Sequence, residues 1–90
     1  MDNYTIAESD KFLTKIDINP YSTVYKKILD YVYPILRENP FYGTNIKKLK
    51  GEFKDIYRYR IGIFRLFYSI DIEDVVVFIT NIEQRKDSYK

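Results

Sequence analysis

The sequence predicts one α+β domain spanning residues 1–90, with an N-terminal strand, a two-helix hairpin and a three-stranded antiparallel meander. Two observations support this fold class. The first half carries apolar residues at helical spacing, whereas the second half contains β-rich runs separated by turn signals. A chain of 90 residues with 46% hydrophobic content suits one core, since a domain usually comprises about 100–200 residues.

The first strand is predicted in the short β-prone segment "YTIA" (Tyr4–Ala7). Ser9 is expected to cap a short first helix, because its hydroxyl can accept a hydrogen bond from the first helical turn. Asn19 and Pro20 are expected to begin the second helix, as its N-cap and its first helical residue. The apolar face of the first helix comprises Phe12, Leu13 and Ile16.

The second helix is predicted from apolar residues at helical spacing. Pro34 is expected to kink this helix or end it early, because its ring clashes with the carbonyl four residues back. "ENP" (Glu38–Pro40) closes the segment. The apolar residues of the second helix are Val24, Tyr25, Ile28, Leu29, Val32, Ile35 and Leu36.

The second half predicts three strands that pair in sequence order. Gly62 and the acidic run "DIED" supply the two turns between them, and the helices are expected to cover one face of the sheet. "NIKKLKG" is interpreted as the segment that leads into the first of these strands. The strands are predicted over Ile56–Ile61, Ile63–Asp71 and Val75–Ile82.

A two-residue hairpin loop at Gly62 and Ile63 fixes how the first two of these strands pair, since glycine in the first loop position is typical of a type II′ turn. The apolar and aromatic pairs then lie on the helix side: Ile61 with Phe64, Tyr59 with Leu66, and Tyr57 with Tyr68. The other side carries the pairs Arg60 with Arg65 and Arg58 with Phe67.

Composition excludes several kinds of site. With no cysteine, neither a disulfide nor a thiolate zinc site is possible, and with no histidine the usual general base is absent.

The net charge is only +2, but the positive charge is concentrated in one stretch, in which Glu52 and Asp55 are the only acidic residues. Such local asymmetry attracts anions. The basic residues of this stretch are Lys47, Lys48, Lys50, Lys54, Arg58, Arg60 and Arg65.

Two interpretations of the three strand arginines remain open. They can serve solubility alone, with their stems lying over Phe67. Alternatively they bind a polyanion, because guanidinium groups form paired hydrogen bonds with phosphate and nearby aromatic rings can stack on bases. Like charges placed opposite each other destabilise a sheet, which favours the second interpretation.

Neither a signal peptide nor a membrane span is expected. The segment "MDNYTIAESDKF" lacks a basic region followed by an apolar one, and no apolar run approaches the roughly 20 residues of a span. The expected location is the cytoplasm.

Four short motifs, in their order and spacing, resemble the RelE/ParE toxins of type II toxin–antitoxin systems. They lie in the segments "LKGEFKDIYRYRIGIFRLFYSID" and "VVVFITNIEQRKDSY". The resemblance extends over the whole chain, because the expected strand and helices precede these segments. It implies the RelE-like microbial ribonuclease fold. The motifs are Leu49–Gly51, Tyr57–Arg60, Phe64–Tyr68 and Arg85–Tyr89.

The resemblance to the RelE branch implies a metal-independent endoribonuclease that enters the ribosomal A site and cuts mRNA, without a cofactor, by attack of the 2′-OH on the adjacent phosphate. The arginines would stabilise the charge on the phosphate, and Tyr89 would stack against a nucleotide. The implied catalytic residues are Arg58, Arg60, Arg65, Arg85 and Tyr89. The expected RNA-binding residues are Lys47, Lys48, Lys50, Lys54 and Lys86.

The general base stays open at this point, with lysines 47, 50 and 54 and the acidic residues Glu52, Asp55 and Glu83 as candidates. Two other functions are also open: a ParE-like inhibitor of DNA gyrase without nuclease activity, and a non-toxic relative that only binds a partner. Either toxin implies a cognate antitoxin, which we expect to be acidic and to fold on binding over the arginines. The ribosome and mRNA are the other expected partners.

Overall fold

The computed structural model describes residues 3–51 and 55–85. Nine segments follow one another: β1 (Thr5–Glu8), α1 (Asp10–Lys15), α2 (Tyr21–Lys27), a π-helical segment (Ile28–Val32), α3 (Tyr33–Glu38), β2 (Ile46–Lys48), β3 (Tyr57–Ile61), β4 (Phe64–Asp71) and β5 (Val76–Gln84). The α+β class and the order of strand, helices and β-meander are confirmed.

The sheet has five strands in the order β1-β5-β4-β3-β2. The predicted antiparallel meander is present as β3-β4-β5, but the prediction of strand arrangement was incomplete, because it omitted β2 and did not place β1 in the sheet. β1 joins the sheet beside β5 and runs parallel to it. β2 pairs antiparallel with β3 at the opposite edge. Its three residues, Ile46 to Lys48, show too little apolar alternation for a strand to be predicted from the sequence. The strand is defined by its backbone pairing with β3.

The two α-segments and the π-helical segment run without a break from Tyr21 to Glu38 as one long helix. Pro34 therefore does not end the helix early. In the π-helical segment the N–H of Tyr33 donates to the carbonyl of Ile28, five residues back. This widened turn precedes a proline that has no N–H to donate, and it absorbs the mismatch that Pro34 causes in an α-helical ladder.

The predicted start of the first helix is confirmed, whereas that of the second is wrong. The side chain of Ser9 accepts a hydrogen bond from the N–H of Phe12, as expected for the cap of α1. The expected cap at Asn19 was wrong, because Pro20 is the N-cap of α2 and the helix begins one residue later. The Asn19 side chain instead accepts hydrogen bonds from the hydroxyls of Ser22 and Thr23.

One hydrophobic core lies between the helices and one face of the sheet. The rings predicted on this face are there: Tyr59 and Tyr68 are buried, and Tyr57 stacks on Tyr68 with ring centroids 5.6 Å apart. Because the core occupies this face, the other face of the sheet is open to solvent. The buried core residues are Phe12, Ile16, Val24, Ile28, Val32, Tyr33, Leu36, Tyr59, Leu66, Tyr68, Val77, Ile79 and Ile82.

Candidate nucleic-acid interface

The sheet face opposite the helices, called the outer face below, carries the three strand arginines. Arg60 lies directly opposite Arg65, and Arg58 lies opposite Phe67. The loop that sets this register has Gly62 with a φ of 58°, as a type II′ hairpin requires of its first residue. We call Arg58, Arg60 and Arg65 the arginine face; the strand register predicted it correctly.

The arginine face concentrates positive charge that is partly withdrawn from water. The Nε atoms of Arg58 and Arg65 are buried and have no hydrogen-bond partner among the described residues. Burial lowers the pKa of Arg58, and the nearby charges of Arg60 and Arg65 lower it further. A guanidinium nevertheless stays protonated at physiological pH. The three groups are therefore cations whose mutual repulsion an anion would relieve.

No carboxylate in the described part of the chain forms a salt bridge with the arginine face. Over residues 3–51 and 55–85, the one salt bridge joins Lys26 and Asp30 on the long helix. Glu83 on β5 lies opposite Arg65 in the strand register, yet its carboxylate accepts a hydrogen bond from the Asn81 side chain, at 3.3 Å between Nδ2 and Oε2. The arginine face thus remains available to an external anion.

The structure brings only some of the predicted lysines to this surface. Lys47 lies opposite Arg58 and extends the arginine face toward the edge of the sheet. Lys48 belongs to the other face, because it pairs with Tyr57 and its Nζ lies 5.9 Å from the centroid of that ring. Lys50 is exposed beyond the end of β2. Lys54, Lys86 and Tyr89 lie outside the described residues.

Arg85 is exposed and directly follows β5. Its backbone N–H donates to the carbonyl of Ile63 at 2.6 Å, which holds it beside the hairpin loop that joins β3 and β4. The Arg60–Arg65 pair is the rung of this hairpin two residues from the loop. Arg85 therefore stands at the hairpin end of the sheet, next to the arginine face.

A pocket of about 500 Å³ opens on the outer face beside the arginine face. Its aromatic residue is Phe67, the register partner of Arg58. Leu49 and Ile56 lie two residues from Lys47 and Arg58, so alternation along the strands indicates that they share the outer face. The N–H of Leu49 donates to the carbonyl of Ile56 and holds the two residues side by side. Only the tertiary structure adds Lys11, which comes from α1. The lining residues are Lys11, Leu49, Ile56, Phe67, Thr80, Asn81 and Glu83.

Between residues 3 and 51 and between 55 and 85, no group of three or more histidine, cysteine or carboxylate residues is placed to hold a metal ion. No helix in this same part of the chain is long and apolar enough to cross a membrane.

No protein-family model matches the chain. A Methanocaldococcus jannaschii protein that carries the name toxin RelE1 is 41% identical over 46 residues, which are 51% of this chain and 50% of that protein. The matched segment thus spans about half the length of this relative.

Solved structures match almost the whole chain. The RelBE2 toxin–antitoxin complex of Mycobacterium tuberculosis has a TM-score of 0.81 at 24% identity, covering 97% of both chains. The isolated RelE toxin of E. coli has a TM-score of 0.73 at 26% identity, covering 94% of this chain and 87% of that one. A YoeB/ParE toxin of Agrobacterium tumefaciens has a TM-score of 0.74 at 14% identity, covering 91% and 99%.

These likenesses first define a class: a small α+β protein of RelE-like fold whose outer sheet face is lined with arginine. The sequence match to a RelE toxin and the fold matches to RelE chains agree with the motifs found in the sequence. The chain has a RelE-like fold and resembles toxins of the RelE/ParE superfamily in sequence and in fold.

Proposed function

We propose that this protein is the toxin of a type II toxin–antitoxin system and a ribosome-dependent endoribonuclease that cuts mRNA in the A site. The arginine face carries this proposal. Three guanidinium groups gathered on one exposed sheet face, none of them ion-paired with a carboxylate among the described residues, are suited to hold a phosphodiester. A translating ribosome would supply the mRNA in the cytoplasm.

The reaction needs no redox chemistry and no co-substrate, because the RNA supplies both the attacking 2′-oxygen and the phosphate. The 2′-oxygen loses its proton and forms a bond to the adjacent phosphorus, the bond from phosphorus to the 5′-oxygen breaks, and a 2′,3′-cyclic phosphate remains. Negative charge builds on the phosphate oxygens as the new bond forms. Arg58, Arg60 and Arg65 would stabilise this charge, and they are already held in place by the sheet before substrate binds.

Arg85 and Tyr89 complete the proposed site by resemblance to the family. Arg85, whose backbone N–H donates to Ile63 beside the hairpin loop, would contact the same phosphate as the arginine face. Tyr89, which lies outside the described residues, would stack on a base. The basic residues at positions 47, 48, 50, 54 and 86 would contact the RNA backbone.

The proposed partner is an acidic antitoxin that covers the arginine face. The M. tuberculosis neighbour was solved as a toxin–antitoxin complex, and like this chain it has the RelE-like fold. An acidic segment would neutralise Arg58, Arg60 and Arg65 and would exclude RNA by occupying the same surface. A co-purified partner that left these arginines exposed would contradict this mode of inhibition.

Primer extension on a reporter mRNA in a bacterial translation extract tests the proposal. The wild type should create new 5′ ends at A-site codons, and only while the message is translated. Arg65→Ala/Arg85→Ala should lower the yield of these ends by at least about 100-fold, since one lost oxyanion donor costs about 10²–10³ in rate. Lys26→Ala/Arg37→Ala removes two cations from the long helix and should cut like the wild type.

An intact message in the presence of wild-type protein would overturn the nuclease proposal. DNA supercoiling by gyrase would then be assayed, because a ParE-like inhibitor shares the fold. Expression that harms neither translation nor supercoiling would indicate a non-toxic relative.

A further inference from the structure

The pocket on the outer face has the size and the lining of a small-ligand site. Its volume of about 500 Å³ falls within the roughly 300–1,000 Å³ that is usual for ligand pockets. Phe67, Leu49 and Ile56 provide apolar surface, and Thr80 and Asn81 provide hydrogen-bonding groups. A planar ring with polar edges suits such a lining, because it can stack on Phe67 while its edges meet the polar groups.

The polar side of the pocket is held in a fixed orientation. The Asn81 side-chain oxygen accepts a hydrogen bond from Lys15 Nζ at 3.1 Å, and its amide donates to Glu83. The Thr80 hydroxyl donates to the backbone carbonyl of Phe67 at 3.2 Å. With its amide oriented by two partners, Asn81 still has a second N–H with which it can meet a base edge.

The pocket and the arginine face are joined along two rows of neighbouring residues. Phe67 in the pocket lies opposite Arg58, and Glu83 at the pocket border lies opposite Arg65. Side chains paired across strands lie about 5 Å apart at their Cβ atoms. A nucleotide whose base stacked on Phe67 would therefore have the arginine face within reach of its phosphate and Glu83 within reach of its ribose.

We propose that this pocket binds the base of the nucleotide whose 2′-OH attacks, and that Glu83 accepts the proton from that 2′-OH. The inference rests on the proposed function, which it deepens by naming the base subsite and the proton acceptor. The O2′–H bond breaks and its proton passes to the Glu83 carboxylate. The 2′-oxygen bonds to phosphorus, the bond to the 5′-oxygen breaks, and that oxygen takes a proton from water.

Glu83 suits this role better than Asp55, the other carboxylate candidate within the described residues. An arginine cannot give up its proton at physiological pH. Asp55 borders a second hollow, which shares Leu49 with the Phe67 pocket, but Asp55 does not line the Phe67 pocket itself. Glu83 lines the pocket, faces Arg65 in the register and forms no salt bridge within residues 3–51 and 55–85. Its carboxylate is therefore the described base closest to where the 2′-OH would lie.

Nucleotide binding is tested by NMR titration of the free toxin, or of a toxin carrying Arg65→Ala if the wild type harms its host. Adenosine, guanosine, cytidine and uridine 3′-monophosphates are compared with ribose 3-phosphate. The Asn81 side-chain amide and the Phe67 ring should shift with at least one nucleotide and not with ribose phosphate. Phe67→Leu should weaken this binding about 5- to 150-fold, the equivalent of a stacking loss of about 1–3 kcal/mol. Phe78→Leu should not weaken it, because Phe78 is exposed and does not line the pocket.

Equal shifts with ribose phosphate, or no shift at the pocket, would overturn the base subsite. If an acidic peptide shifted the Phe67 and Asn81 signals and none of the four nucleotides did, the pocket would be a polypeptide site and the inference would fall. This titration measures binding without cleavage. It therefore separates a failure of the subsite from a failure of the proposed nuclease activity.

The proton acceptor is tested with Glu83→Gln, which keeps the shape of the side chain and its hydrogen bond with Asn81. Cleavage in the translation extract should fall about 10²- to 10⁴-fold, and nucleotide affinity should stay equal or rise because a negative charge next to Arg65 is removed. The acidic limb of the pH–rate profile should disappear. Glu73→Gln, in an exposed turn, is the matched control and should cut normally.

A purely electrostatic role for Glu83 predicts that Glu83→Gln does not slow cleavage. If Glu83 only neutralised Arg65, Glu83→Gln would bind RNA more tightly and cut it at least as fast as the wild type. Faster or unchanged cleavage would thus overturn the assignment.

Discussion

Replacing Arg60 with glutamine should make the protein more stable and less active at the same time. Arg60 lies opposite Arg65, and both groups lower the pKa of Arg58 by repulsion after burial has lowered it first. In the register, Arg60 faces no carboxylate. Arg60→Gln removes one of the three charges and keeps most of the side chain in place. The repulsion within the arginine face therefore falls, and so does its ability to hold a phosphate.

The size of the stabilisation follows from the sheet geometry. Two guanidinium charges roughly 7 Å apart repel by about 0.6–1.2 kcal/mol at an effective dielectric constant of about 40–80. Screening at physiological ionic strength, with a Debye length of about 8 Å, leaves about 0.3–0.5 kcal/mol per pair. Arg60 has two such neighbours, so the free energy of unfolding should rise by about 0.5–1 kcal/mol. The melting temperature of a domain this size should rise by about 2–8 °C.

Thermal and urea unfolding at two salt concentrations provide the assay. The gain from Arg60→Gln should be largest at about 20 mM salt and should nearly vanish at 1 M, where the Debye length is about 3 Å. Arg37→Gln, an exposed cation in the last turn of the long helix, is the matched control and should give no gain. Loss of stability, or a gain independent of salt, would refute the claim that Arg60 is held against repulsion.

Three further changes test the fold. Glu8→Leu should lower the free energy of unfolding, measured by urea titration, by about 2–4 kcal/mol. The hydroxyls of Tyr25 and Tyr33 donate to the Glu8 carboxylate at 2.7 and 2.8 Å and would lose this acceptor. An unchanged midpoint of the urea transition would contradict this. Burial, followed by the hydrogen bond to Glu8 and the charge of Glu8, raises the pKa of Tyr25 from 10.0 to about 12. The folded state therefore holds this proton more tightly than the unfolded chain, so its contribution is complete below pH 10 and is lost as pH rises toward 12. Between pH 10 and pH 12 the melting temperature of Tyr25→Phe should fall less steeply than that of the wild type. The same dependence of melting temperature on pH in both proteins would count against a stabilising role of the Tyr25 proton. Gly62→Ala should destabilise by about 1–2 kcal/mol in thermal melts, since the φ of 58° at Gly62 places a Cβ against the backbone; a neutral result would argue against this hairpin turn.

Much of the candidate site could be predicted because a two-residue hairpin leaves no freedom in register. Once Gly62 is identified as the first loop residue, the pairing of Arg60 with Arg65 follows from counting. The same counting predicts the buried positions of Tyr59 and Tyr68. Local rules also predicted the Ser9 cap, because its partner is three residues away.

Features that depend on distant segments could not be predicted in this way. β2 has no apolar alternation of its own and exists because β3 pairs with it. Leu29 and Ile35 fit the helical pattern, yet they are 44% and 43% exposed, because only part of the apolar surface of the long helix meets the sheet. The π-helical segment is a further case, since proline chemistry permits a kink, an end or a widened turn alike.

The sequence by itself determined the fold class, the hairpin register and hence the gathering of Arg58, Arg60 and Arg65 on one face. These follow from alternation and from glycine in one turn, both of which are local in the chain. Only the tertiary structure decided that Lys48 lies on the other face, that Lys11 of α1 reaches the pocket, and that Glu83 stands opposite Arg65. For Glu83 the physical reason is that the pairing of β5 with β4 shifts by one residue between Phe67 and Tyr68, and a one-residue shift decides which side of the sheet each later side chain occupies. For Lys48 and Lys11 the reason is contact between segments distant in the chain, since β2 pairs with β3 and α1 reaches a pocket built mainly from the sheet.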